Sequence, residues 1–297
     1  MQPNSDRHIA GSDGSKTYKL RLSPIANSSY HYDISNESEL KMESGQKKVD
    51  NVNRSNTGVY YEMTKDSAGN FVFHIRYDKV HLYTNSSGTE TEMDAANAAT
   101  THDPLEKMLG ALTSARIVAV ITPLGEVKTV TGYKEMGDKI MEGFNNSDLN
   151  VRKMARSRLE QVIGNGIVKK NMDQLFKIFP DSAVHIGDQW KSSGKQQSDL
   201  NLNVNNSFTL KGIDDGVALI RSEGDMTSDS AAISIMGYEV TANLKGHQRG
   251  DYEIDTKTGM LVNASITAHV EGAMQVMGRD IPITVDMKVK MNGRKLP

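Results

Sequence analysis

From Val262 onward the chain alternates. Val262, Ala264, Ile266, Ala268, Val270, Gly272, Met274 and Val276 are apolar or small, and Asn263, Ser265, Thr267, His269, Glu271, Ala273 and Gln275 interleave with them. Period two sends successive side chains to opposite faces of a β-strand. At about 3.3 Å per residue this run would reach roughly 50 Å, far beyond the usual strand. The same one-sided stripe recurs at Leu200, Leu202, Val204, Phe208 and Leu210, at Tyr238, Val240, Ala242 and Leu244, and at Val285, Met287, Val289 and Met291. Nearer the N-terminus, Tyr18, Leu20 and Leu22 open a strand, and Tyr30, Tyr32, Ile34, Leu40 and Met42 share one parity of the next. Phe71, Phe73, Ile75 and Tyr77 then alternate until the phase slips at Asp78-Lys79, after which Val80 and Leu82 carry the stripe. A slip of one residue predicts a β-bulge, which bends a long strand. One polar face per strand predicts antiparallel pairing with one side wet.

Period 3.6 takes over in the middle. DPLEKMLGAL predicts a helix with Asp103 as N-cap, Pro104 in the first turn and Glu106 closing a capping-box-like pair. A strand pair, RIVAVI and EVKTV, follows around Thr122-Pro123-Leu124-Gly125. Three helical patterns come next: Tyr133, Met136, Ile140 and Phe144; Val151, Met154, Ala155, Leu159, Val162 and Ile163; Val168, Met172, Leu175, Phe176 and Phe179. Gly164-Asn165-Gly166 stops the second of these. The fold class expected is α+β: long, curved antiparallel sheet, half-barrel-like, packed on central helices. YEMTKDSAGNFVFHIRY and FTLKGIDDGVALIRSEG present the same strand–turn–strand order in the two halves, through duplication or through shared hairpin chemistry. The organisation expected is a flexible leader over residues 1–16, a β-rich half with helices over 17–165 and a second β-rich half over 166–297, as two units or one continuous domain.

Composition narrows the function classes. With 35 basic against 37 acidic residues, no global field draws the chain to nucleic acid. No apolar run approaches the roughly 20 residues of a membrane-spanning helix. Cysteine is absent, which removes disulfides, thiolate metal sites and cysteine nucleophiles. The start, MQPNSDRHIAGSDGSK, has no signal-peptide pattern, so an exported form would have lost its leader.

Catalytic and metal patterns are sparse. None of the eight histidines has a spacing such as H-E-x-x-H, and His185, His247 and His269 read as isolated. His74 and His81 share a face only if the slip realigns them. There is no G-x-S-x-G elbow, and the turns DSAGN, IDDG and DTKTG lack the ligand ladder of a calcium loop. No cofactor or metal site is expected. Carboxylates are plentiful, and none stands out as one of an acid–base pair. What remains is the apolar face. Sixteen methionines outnumber six phenylalanines, and Met274, Met287 and Met291 fall on apolar stripes. A flexible thioether surface adapts to irregular ligands such as acyl chains, or it simply fills a core.

The only tryptophan lies in FPDSAVHIGDQW, residues 179–190. Pro180 ends the preceding helix and Gly187-Asp188 turns the chain into the next strand, so Trp190 is expected where helix meets sheet. This stretch, with SFTLKGIDDGVALI after it and ITPLGEVKTVTG before it, resembles a family of exported proteins and lipoproteins of Bacteroidota-type bacteria, known as a domain of unknown function (DUF6263). The likeness covers roughly residues 17–297. It implies a cell-envelope location and a lipid-bearing N-terminal cysteine in many members; this chain has no cysteine. More remotely, the pattern is similar to the half-barrel of bacterial lipoprotein carriers. The function expected is a non-enzymatic envelope protein that binds lipid, another apolar ligand or a protein partner, with Phe176, Phe179, Trp190, Met274 and Met287 as ligand-binding candidates. The alternatives are a structural or interaction module without a ligand pocket, and third a hydrolase with an acidic site.

Overall fold

The computed structural model describes residues 16–44, 47–101, 103–142, 144–145, 148–150, 152–153, 156, 169, 172–173, 175–196, 202–228, 233–235, 238–276 and 278–297. The expected leader and the helix around Val151–Ile163 lie almost entirely outside these residues, as does Gly164-Asn165-Gly166.

The strands are β1 (Ser29–Ser44), β2 (Lys47–Lys65), β3 (Phe71–Ser86), β4 (Thr89–Asp94), β5 (Ile117–Ile121), β6 (Val127–Thr131), β7 (Gln189–Gln196), β8 (Leu202–Asp214), β9 (Val217–Ser228), β10 (Ile233–Ile235), β11 (Tyr238–Asp255), β12 (Leu261–Val276) and β13 (Arg279–Lys295). All thirteen belong to one antiparallel sheet, ordered β6-β5-β3-β2-β1-β13-β12-β11-β9-β8-β7, with β4 on β3 and β10 on β11. Most neighbours are consecutive strands joined by hairpins, while β3 pairs β5 past β4 and β9 pairs β11 past β10. The exception at the centre is β1 with β13, which run together from Tyr30↔Lys295 to Met42↔Ile283 and join the two halves into one sheet.

Local chemistry sets the turns. Asp215 and Gly216 both have positive φ, the two-residue hairpin geometry whose twist matches the strands it joins. Asp66 accepts backbone N–H bonds from Ala68 and Asn70 and closes the β2–β3 turn. The predicted bulge is present: Gly58 pairs with Lys79 and Val59 with Tyr77, so Asp78 is the extra residue. Its carboxylate folds over Gly58, where a Cβ would collide with it, and meets His31 Nε2 at 3.1 Å.

Among the described residues, α1 (Pro104–Ser114) and α2 (Tyr133–Glu142) are helices of 11 and 10 residues. The expectation of a sheet packed on a central helical layer is corrected. The sheet has far more strands than two short helices can cover, and α1 lies against β3 and β4 near one edge. Asp103 stands at the helix start, its carbonyl accepting from the Lys107 N–H, but the Glu106 half of the capping pair is corrected: the Asp103 N–H donates to Thr101 Oγ1 instead. Glu106 turns back to accept from the Asp94 N–H and the Asn97 side chain, which holds the 3-10 turn Ala95–Asn97.

Two contacts show how far the sheet bends. The Phe73 ring on β3 is 5.2 Å from Phe176, and the carbonyl of Ile178 accepts a 3.0 Å bond from Trp190 Nε1 on β7. With the Phe73, Phe176 and Trp190 side chains, the two contacts and two residues of chain all extended, the bridge from β3 to β7 reaches at most roughly 30 Å. In a flat sheet, strands eight places apart stand roughly 38 Å apart. A curved sheet fits the short bridge and a flat one does not.

The end of the sheet near Phe176 is strapped. Tyr18 bridges to Val184, the Leu22 N–H donates to the Pro123 carbonyl, and the Ser23 N–H donates to that of Thr258. The segment expected as an opening strand is therefore extended but ties turns together across the sheet end.

Candidate functional site

The inward parity of the strands carries two apolar clusters. The first gathers Phe73, Tyr61 and Phe176 with Trp190, Phe208 and Tyr252, and it takes in residues of α1, α2 and the strap. Trp190 stacks on Phe208 at 5.9 Å with an interplanar angle of 15°. Phe73 is 0% exposed and Phe208 1%, so this end is a packed core. Burial pushes the Tyr77 phenol up, and burial followed by the neighbouring Tyr77 pushes Tyr61 up. Tyr252 is pushed up to about 12, chiefly by burial.

The second cluster lies farther along the strands. It contains Leu202, Val204, Met226, Leu244, Val270 and Val285, with Leu40, Met42, Met274 and Met287 partly buried against it. Register explains it: Val204, Met226, Gly246, Val270, Val285 and Leu40 form one inward row across β8, β9, β11, β12, β13 and β1. At Gly246 a Cβ would strike the backbone of His269 and Val270, so the row closes up at that point. Between the clusters the inward face turns polar, with Gln248 donating to Asn206 at 2.7 Å beside the buried Ser222.

The five candidate residues therefore divide. Phe176, Phe179 and Trp190 sit in the first cluster, and Met274 and Met287 against the second. Trp190 joins the end of the Phe176 helical segment to β7, where the sequence placed it. Beside it, Asp188 accepts from the His185 N–H and ring, which holds its carboxyl below the usual range.

The outward face holds a groove of about 660 Å³ across β9, β11, β12, β13 and β1. Two cross-strand rows form its floor. One runs Asp225, His247, His269, Asp286, Glu39; the other Glu223, Arg249, Thr267, Lys288, Glu37. His269 Nδ1 donates to Asp286 at 2.7 Å, and this bond is the main cause that raises the His269 pKa. The reading of His247 and His269 as isolated is corrected: they are directly opposite, with ring centres 6.4 Å apart. They are 22 residues apart in sequence, and only the β11–β12 register brings them together. His74 and His81 do share the outward face, realigned by the bulge, and His81 is held by Glu92 at 2.8 Å. No three His, Asp or Glu side chains among the described residues converge as they stand in a metal-holding group. No helix among them is long and apolar enough to cross a membrane.

No curated protein matches the chain in sequence. Among solved structures, a lipovitellin structure described as "Lipid-protein interactions in lipovitellin" matches 92% of the chain at 8% identity and a TM-score of 0.55. The chain spans 26% of that lipovitellin's length, and the likeness is one of fold. Pseudomonas aeruginosa OccK5 (OpdH) matches 93% of this chain and 100% of its own at 5% identity, with a TM-score of 0.23. The translocator domain of autotransporter NalP from Neisseria meningitidis matches 91% of this chain and 90% of its own, also at 5% and 0.23. The family described as "Family of unknown function (DUF6263)" matches residues 68–261, about two thirds of the sequence, and the chain belongs to that family.

Proposed function

We propose that the protein is a non-enzymatic binding protein of the cell envelope, and that its curved inward face holds an apolar ligand of the lipid type. The observation that carries this reading is the second cluster. Its floor is an apolar row broken only by Gly246, yet Leu40, Met42, Met274 and Met287 at its margin are only partly buried. Unbranched, polarisable side chains on a bent sheet accommodate a chain of variable shape. The fold likeness to lipovitellin, a protein described by its lipid interactions, supports the same reading. The envelope location rests on the resemblance to exported proteins and lipoproteins.

A second reading, an interaction module with a filled interior, draws on the first cluster, which is packed throughout. One experiment separates the two. Protein purified without detergent is extracted with organic solvent and the extract analysed by mass spectrometry. The binding reading expects a stoichiometric lipid that disappears in a folded Met274→Glu/Met287→Glu variant. Repeatedly empty extracts of the wild-type protein, with no uptake of a fluorescent fatty acid, leave the interaction module standing.

A further inference from the structure

We propose that His247 and His269, completed by Glu271, form a site on the outward face for a divalent transition metal that favours imidazole: copper, zinc or nickel. This face is opposite the apolar clusters, so the inference is independent of the ligand reading above.

The two histidines are register partners on adjacent antiparallel strands. Their ring centres are 6.4 Å apart and their planes tilted by 51°. Metal–nitrogen bonds of about 2.0 Å bring two ring centres on a shared ion to roughly 5–6 Å. A small rotation of either side chain closes the difference.

His269 is already oriented for coordination. A carboxylate can only accept, so Nδ1 carries the hydrogen that meets Asp286 at 2.7 Å, and the lone pair is on Nε2. A carboxylate behind an imidazole is the usual outer support of a metal-binding histidine, since it fixes tautomer and ring direction. Asp286 is thus a positioning residue. Glu271 Oε2 lies 3.7 Å from Nε2, close to the spacing of roughly 3.3 Å between two donors on one tetrahedral ion.

The third donor is not yet in place, since no three such groups converge as the side chains now stand. His247 is exposed, and His269 and Glu271 are 42% and 73% exposed, so turning them displaces no packed neighbour. The groove leaves space for water as the remaining ligand. Two imidazoles with one carboxylate select copper, zinc or nickel over calcium and magnesium, which prefer all-oxygen shells.

The test uses the whole chain without an affinity tag, titrated with Cu2+ alone by calorimetry and followed by electron paramagnetic resonance. One equivalent should bind, with hyperfine structure from two nitrogens. Asp286→Asn should weaken binding about 10–100-fold, and His247→Ala and His269→Ala should each weaken it further, with circular dichroism unchanged throughout. Absence of binding to the wild-type chain overturns the assignment. So does binding that survives undiminished in either histidine variant, which would place the metal elsewhere.

Discussion

Replacing Phe208 with alanine tests whether the first cluster is a single packed unit. The ring is fully enclosed, stacked on Trp190 at 5.9 Å and 6.1 Å from Tyr252. An aromatic side chain buries on the order of 150–250 Å². At about 25 cal/mol per Å², losing most of that area removes roughly 3 kcal/mol, and the cavity left behind brings the cost to about 3–5 kcal/mol. Phe208→Leu keeps most of the volume and loses the ring geometry, so its cost should be about 1–2 kcal/mol. The assay is urea unfolding followed by tryptophan emission, because Trp190 is the sole tryptophan and touches the substituted ring. Circular dichroism in parallel checks that one transition is being read, and an unchanged m-value checks that stability alone has moved. An alanine cost below about 1 kcal/mol, or a leucine variant as unstable as the alanine one, would refute a close-packed stack at this position.

Gly125 has φ +83 and its hydrogen faces the Phe176 carbonyl, a backbone neighbour that cannot step aside. Gly125→Ala should cost about 2 kcal/mol or more in thermal unfolding, and loosen the contact between the β5–β6 turn and the Phe176 segment. Asp78→Ala strips the buried His31 ring of its hydrogen-bond partner and should cost about 1–3 kcal/mol by denaturant unfolding. Burial raises the Tyr30, Tyr32, Tyr61, Tyr77 and Tyr252 phenols, so their contribution is complete below about pH 10 and is lost as pH rises through the raised folded values. Ultraviolet absorbance should accordingly show part of the tyrosines ionising only together with alkaline unfolding; smooth titration of all ten in the folded protein would contradict this.

Alternation along the chain located β1, β3, β8, β11, β12 and β13 and their inward faces, but not β4 or most of β2, whose largely polar residues carry no apolar stripe. It also located the bulge, because an extra residue shifts the parity of everything after it, as Val80 and Leu82 display. Hairpin turns were readable from Asp66, Asp215-Gly216 and Asp255, whose chemistry is local. Pairing between distant segments was not readable. Period two tells which side of a strand is apolar and says nothing about its neighbour, so the β1–β13 contact and the His247–His269 pair needed the register. Glu106 shows a further limit: its carboxylate satisfies a segment twelve residues earlier rather than its own helix start. The candidate site was half legible. The methionines on the stripes were visible, but the division of Phe176 and Trp190 from Met274 and Met287 depends on how far along each strand a residue lies once the strands are staggered.

The pairing of β1 with β13 has a consequence for how this protein is made. An early strand gains its second neighbour only when one emerging some 250 residues later has left the ribosome. Until then the sheet stays cut down its middle, with two unpaired edges able to capture other chains. Assembly must therefore wait until β13 has been made and should proceed slowly, as closure over so long an interval of sequence does in general. Deleting Arg279–Lys295 would not trim a margin; it would remove the seam, and the chain should be recovered as aggregate.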